Sequence, residues 1–129
     1  MQIEHIAIWT RNLEGLKKFY ETYFQATASP KYCNPTRQYE SYFLQFATGA
    51  RLELMQMPAI APAPNQGMEQ FTGYAHLAVS VGSRAVVDTL TSRLQQDGYT
   101  IVSEPRQTGD GYYESCVLDP DGNRVEITE

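Results

Sequence analysis

His5-Ile6-Ala7-Ile8 returns 71 residues later as His76-Leu77-Ala78-Val79. Arg51-Leu52-Glu53-Leu54 returns 73 residues later as Arg124-Val125-Glu126-Ile127, and Gly49, two positions before the first arginine, is matched by Gly122 before the second. Between these landmarks the spacing persists, with Leu16, Phe19 and Tyr23 falling on Val87, Leu90 and Leu94. Self-similarity at a fixed period decides the architecture before any local signal is weighed. The chain is written twice, and each half reads as a strand, a helix, then further strands ending in Arg-x-Glu-x.

Local patterns fill in the elements. Ile3 to Thr10 is rich in β-branched residues and lacks glycine and proline, which predicts a strand. Asn12 is placed to cap a helix whose Leu16, Phe19 and Tyr23 share one face. Ser83 is placed to cap the second helix, and Gly98 to end it in a backbone turn of positive φ. Tyr42 to Phe46 and Arg51 to Met55 predict a hairpin across 47–50. Tyr113 to Leu118 and Arg124 to Thr128 predict its counterpart across Asp119-Pro120-Asp121-Gly122-Asn123, a run of turn formers. Ser29 to Thr36, with Pro30 and Pro35, predicts a loop. Pro58, Pro62, Pro64 and Gly67 mark the join, so the repeats run over about 1–57 and 73–129 with a proline-rich linker at 58–72.

The 129 residues suit one ordinary domain with a core of its own. Ten basic against fifteen acidic residues give a net charge of −5, which argues against nucleic acid and anionic membrane as partners. No apolar run approaches the roughly 18 residues of a membrane-spanning helix. Met1 is not followed by a basic stretch and a long apolar one, so the expected location is the cytoplasm. Cys33 and Cys116 form no metal or redox motif and are expected as free thiols, with a single bridge between them as the alternative.

Strand alternation assigns faces. Ile6 and Ile8 share one face of the first strand; His5, Ala7 and Trp9 share the other. Leu77, Val79 and Val81 oppose Tyr74, His76, Ala78 and Ser80. Leu52, Leu54, Val125 and Ile127 lie toward the helices, which sends Glu53 and Glu126 to the histidine face. The chain has two histidines, and both fall at one repeat position. Glutamate is disfavoured in strands and is rarely buried without a partner. A curved sheet with its helices outside would gather His5, Glu53, His76 and Glu126 in a concave pocket, and a divalent cation is the partner this set suits.

With these residues the chain resembles the vicinal oxygen chelate superfamily, the glyoxalase I, antibiotic-resistance and extradiol dioxygenase group. The resemblance runs from Ile3 to Thr128. It rests on the duplicated module, His5 in EHIAI, Glu53 in RLELM, His76 in GYAHLAVSV and Glu126 in DPDGNRVEIT. It implies an α+β fold of two tandem βαβββ modules forming a U-shaped, mostly antiparallel sheet around a metal pocket, helices outside. It implies His5, Glu53, His76 and Glu126 as ligands of one divalent ion per site, whether nickel, zinc, cobalt, manganese or iron. Two open positions on that ion would chelate a small substrate with adjacent oxygens and stabilise its enediolate. Glu126 would carry the proton, with Glu53 as its pseudo-symmetric counterpart.

The resemblance further implies a homodimer, and the activity of a glyoxalase I-like lyase or isomerase of the lactoylglutathione lyase type. The chain departs from the bacterial members at thiol-binding positions, where Trp9 and the Gln56-Met57 region replace an arginine and an asparagine; Arg11 and Arg37 are the nearby substitutes. The alternative function is an antibiotic-binding or antibiotic-modifying resistance protein of the same fold. Binding members generally lack the metal ligands, and thiol transferases of the fosfomycin type use one glutamate. The absence of a third histidine places extradiol dioxygenation last. Of the aromatics around the proposed pocket (Trp9, Tyr42, Tyr74, Tyr112 and Tyr113), most are expected to serve core and edge packing; Trp9 is the exception, placed beside His5 on the ligand face. The Gly109-to-Tyr113 stretch reads either as a cover for the pocket or as a turn.

Overall fold

A five-residue strand in the first half and a four-residue strand in the second run parallel to the last strand of their own half, and this pairing organises everything around it. The computed structural model describes residues 1–62 and 72–129; most of the predicted linker lies outside the described residues. The chain divides into two units, Met1–Ala63 and Pro64–Glu129.

The first unit contains β1 (His5–Trp9), α1 (Leu13–Phe24), β2 (Thr27–Ala28), β3 (Tyr32–Asn34), β4 (Tyr39–Gln45) and β5 (Arg51–Gln56). Its sheet runs in the order β1-β5-β4-β2, with β3 also on β4. β1 and β5 are parallel, and the other pairs are antiparallel. The second unit contains β6 (Leu77–Ser80), α2 (Arg84–Gln96), β7 (Ile101–Gln107), β8 (Tyr113–Leu118) and β9 (Arg124–Thr128), in the order β6-β9-β8-β7 with β6 and β9 parallel. Parallel neighbours need a long crossover, which the helix and the following strands provide. The fold class is mixed α+β, two βαβββ modules, as the repeat predicts.

Two expectations need correction. Ser29 to Thr36 is not wholly loop: Tyr32, Cys33 and Asn34 pair with Ser41, Glu40 and Tyr39. The second strand of the first module is broken rather than absent. Pro30 and Pro35 have no N–H to give to a ladder, so they fall on either side of β3 instead of within it. The first strand begins at His5 rather than Ile3, and β6 begins at Leu77, so Tyr74 and His76 precede it.

Both helices start where their caps predict. The Asn12 side chain accepts from the Gly15 amide at 3.0 Å, and that of Ser83 from the Val86 amide at 3.4 Å. A Cβ at residue 15 would lie 2.3 Å from Asn12 Nδ2, so any larger residue there would make the Asn12 side chain shift. α1 buries Leu13, Leu16, Phe19, Tyr20 and Phe24, a broader stripe than the repeat alone marks, with Tyr23 at its half-buried edge. α2 buries Val87, Leu90, Thr91 and Leu94 and is followed by Gly98 at φ +90°. Leu44, Leu52 and Leu54 in one unit, and Val117, Val125 and Ile127 in the other, are completely or almost completely buried. Each such side chain contributes about 1.5–3 kcal/mol by leaving water.

The turn before β9 is built on Asp119. Its buried carboxylate accepts from the amides of Asp121 (3.0 Å) and Asn123 (2.9 Å) and from Asn123 Nδ2 (2.9 Å), and Gly122 takes φ +83°. This fixes the register in which Cys116 faces Glu126. Among the described residues, no helix is long and apolar enough to cross a membrane.

Candidate functional site

The face opposite α1 carries His5, Ala7 and Trp9, whose burial alternates with that of Ile6 and Ile8. Ala7 lies in register with Glu53 on β5, and Phe43 of β4 lies in register with Glu53 on the other side. His5 is two residues from Ala7 on the same face, with Nε2 3.8 Å from Glu53 Oε2. The other ring nitrogen, Nδ1, is hydrogen-bonded to Glu4, whose second oxygen is bonded to the Arg51 guanidinium. The hydrogen bond with His5, then that with Arg51, holds the Glu4 carboxyl below its usual range. An ionised carboxylate can only accept, so Nδ1 carries the proton, and in the neutral ring Nε2 turns a lone pair toward Glu53.

Arg51 lies 4.2 Å above the Phe43 ring, and Phe43 meets the edge of His5 at 5.4 Å. The Tyr39 hydroxyl donates to Glu53 Oε1 at 3.1 Å. Burial is the first cause that raises the Tyr39 phenol, which keeps it a donor.

The second unit repeats the pair with less around it. Ala78 lies in register with Glu126, and His76 Nε2 is 3.1 Å from Glu126 Oε2. Burial pushes the Glu126 carboxyl up; the attraction of His76 opposes this and the nearby Glu114 carboxylate adds to it. Ala75 precedes His76 where Glu4 precedes His5, and Cys116 stands where Phe43 stands. Burial also raises the Cys116 thiol.

The predicted residues therefore come together as two pairs, His5 with Glu53 and His76 with Glu126. Among the described residues, no three or more His, Cys, Asp or Glu side chains form a ready cation cluster.

Trp9 is on the predicted face, edge-on to Tyr39 at 6.0 Å. Two of the other aromatics are turned to the helices, in keeping with the packing expected of them. Tyr42 donates to Glu14 of α1 at 3.0 Å and Tyr113 to Asp88 of α2 at 2.8 Å, so both serve the helix side. Their strand parity decides this: Tyr42 lies in register with the buried Leu54. Tyr74 and Tyr112 are exposed.

The Gly109-to-Tyr113 stretch is the β7–β8 turn, tied by Thr108 N to Tyr112 O at 2.8 Å and Tyr112 N to Thr108 Oγ1 at 2.9 Å. Sequence reasoning missed Glu4, Phe43 and Tyr39. Period-2 counting from Phe43 through Ser41 reaches Tyr39 and would have put it on the Glu53 face.

A cleft of about 510 Å³ opens within the first unit beside Tyr39, lined also by Arg11, Asn34, Gln38, Gln56 and Met57. Arg11, one of the two substitutes named for thiol binding, lines it and donates to the Ile60 carbonyl at 2.8 Å from Nε. Arg37 does not line it. Gln56 turns its amide oxygen to the Leu13 N–H at 2.9 Å, tying the cleft wall to the start of α1.

The sequence profile of the glyoxalase/bleomycin resistance protein/dioxygenase superfamily matches residues 2–127. No curated protein sequence matches the chain. Among solved structures, a V278E mutant of glyoxalase I from Zea mays is similar at 23% identity and a TM-score of 0.80, over 98% of this chain and 44% of that one. This chain thus spans less than half the length of the maize protein. A trypanothione-dependent glyoxalase I from Leishmania major is similar at 21% identity and a TM-score of 0.77, over 100% and 86% of the two chains. A glyoxalase family protein from Enterococcus faecalis is similar at 22% and 0.78, over 99% and 97%. At these identities the likeness is one of fold.

Proposed function

Because the chain belongs to the glyoxalase/bleomycin resistance protein/dioxygenase superfamily, we propose that it is a divalent-metal-dependent lyase or isomerase of the glyoxalase I type, acting on a small substrate with adjacent oxygens. The observation that carries this reading is the histidine–glutamate pair built twice, at 3.8 Å and 3.1 Å, at matched positions in the two modules. Two imidazole nitrogens and two carboxylates fit nickel, zinc, cobalt, manganese or iron. His5, Glu53, His76 and Glu126 would hold one such ion, the two pairs drawn from one chain or one from each member of a homodimer. When bound, the ion supplies Lewis acidity to the substrate oxygens and so makes the neighbouring carbon acid easier to deprotonate.

The chain's own groups then divide the work. Glu126 takes the proton from one carbon and returns it to the next. Its carboxyl is raised by burial, which makes it a better base than an exposed glutamate. Glu53, tied to Tyr39, serves as ligand first. The cleft beside Tyr39 offers polar side chains to the rest of a substrate. Cys33 and Cys116 are free, which suits the reducing cytoplasm in which we place the protein.

Metal analysis of the purified protein, followed by isomerisation of hemithioacetals made with several thiols, tests this. One ion per site, lost in His5→Ala and His76→Ala, with metal-dependent turnover, is the expected result. Failure to take up nickel or zinc, together with metal-independent binding of an antibiotic such as bleomycin, would move the protein to the resistance branch. Sedimentation at micromolar concentration tests the dimer, which a monomer would contradict.

A further inference from the structure

We propose that Glu4 and Tyr39 are positioning residues that hold His5 and Glu53 in a ligating arrangement, a support that the first module has and the second lacks. This rests on the metal-dependent reading above.

The first half-site is a closed set of contacts. His5 is held through Nδ1 by Glu4, and Glu4 is held by Arg51. Arg51 stacks on Phe43, and Phe43 returns to the edge of His5. The ring is thereby fixed in rotation and in tautomer, with Nε2 turned to Glu53. Glu53 is divided in the same way: Oε1 accepts the hydrogen bond of the Tyr39 hydroxyl, and Oε2 is the oxygen that faces His5. Tyr39 is itself set between the edges of Trp9 and Tyr32, at 6.0 and 6.1 Å. Partners of this kind orient a ligand and raise its affinity for metal.

The second half-site keeps the arginine, as Arg124, but differs at the other positions. Ala75 replaces Glu4, Cys116 replaces Phe43, and Tyr112, at the position matching Tyr39, is 56% exposed. Among the described residues, the Glu126 carboxylate is met at ion-pair distance by His76 alone. Among the described residues, Glu126 takes no second side-chain donor. Glu53 has one, and it comes from a side chain packed on two aromatic neighbours.

The test uses the full chain stripped of metal by chelation. With 15N-labelled histidine at pH 8, His5 is expected to carry its proton on Nδ1. Glu4→Ala should shift that proton toward Nε2, whereas Glu4→Gln, which keeps an acceptor oxygen, should leave it. Glu4 is exposed, and exposed pairs contribute little to folding, so these variants will fold. Calorimetric titration with nickel alone should show affinity lower by about 10–100-fold in Glu4→Ala and in Tyr39→Phe, restored for the most part in Glu4→Gln and unchanged in Tyr112→Phe. A His5 proton on Nε2 in the unsubstituted protein, or equal nickel affinity across the series, would overturn the positioning role. Absence of nickel binding in the unsubstituted protein would overturn the metal reading and, with it, the ligating half of this proposal, while the tautomer measurement still reports what Glu4 does to His5.

Discussion

Glu53 accepts the Tyr39 hydroxyl at 3.1 Å. Its counterpart Glu126 faces His76 at the same distance and, among the described residues, takes no phenol. A neutral amide at either position can still approach a cation but cannot accept a proton from carbon. Glu126→Gln should therefore lower turnover by about 10²–10⁴-fold, the usual contribution of a general base, with a smaller loss of metal affinity. Glu53→Gln should show the reverse balance. Steady-state rates of the metal-loaded variants, compared with their nickel isotherms, check this; equal rate losses would remove the asymmetry.

The Thr91 and Ser115 hydroxyls lie 2.6 Å apart, both buried, where α2 crosses β8, and Thr91 also bonds the Val87 carbonyl at 2.7 Å. Thr91→Val leaves the Ser115 hydroxyl buried without this partner, and the expected cost is about 1–3 kcal/mol in urea unfolding. Adding Ser115→Ala removes the stranded hydroxyl and should recover part of that loss. A double variant as unstable as the sum of the singles would show that the two hydroxyls do not interact.

Cys33 is exposed, while Cys116 is buried with its thiol pushed up, by burial first and by the Glu126 charge second. A thiolate is the reacting species, so both effects slow Cys116. A disulfide reagent at neutral pH should label one thiol per chain quickly. The second should follow only with unfolding, and Cys33→Ser should abolish the fast phase.

The parts of the site legible in the sequence were those that obey two rules at once. His5, Glu53, His76 and Glu126 each stand at a repeated position and on the strand parity opposite the apolar residues. Tyr39 obeys parity, but it begins a strand whose first three residues, Tyr39-Glu40-Ser41, include two polar ones, so the strand reads as starting at Tyr42. Glu4 precedes β1, where alternation has no authority, and its role depends on the neighbouring strand bringing Arg51 alongside. Tyr42 and Tyr113 obey parity as well, which puts them on the helix side and not with the glutamates. β3 was hidden by its flanking prolines, because a three-residue edge segment has too little alternation to outweigh them.

Burial places the Glu126 carboxyl above the ordinary carboxylate range, and this predicts a cost in stability at the functional pH. An acid whose folded value exceeds its unfolded one binds more proton in the folded state between the two. Within that window the Glu126 contribution to stability falls as pH rises. Below the ordinary value both states are protonated and the penalty vanishes; above the raised value both are ionised and it is complete. Glu126→Gln replaces the ionised group with a neutral one of the same shape. The chelated variant should therefore be as stable as the unsubstituted protein at low pH and more stable at pH 7, where the latter carries a partly buried charge that His76 and Arg106 offset only in part. Urea midpoints at pH 4 and pH 7 read the difference directly. A variant less stable than the parent at pH 7 would mean that the His76–Glu126 attraction outweighs burial, and that this carboxylate is held rather than free to move.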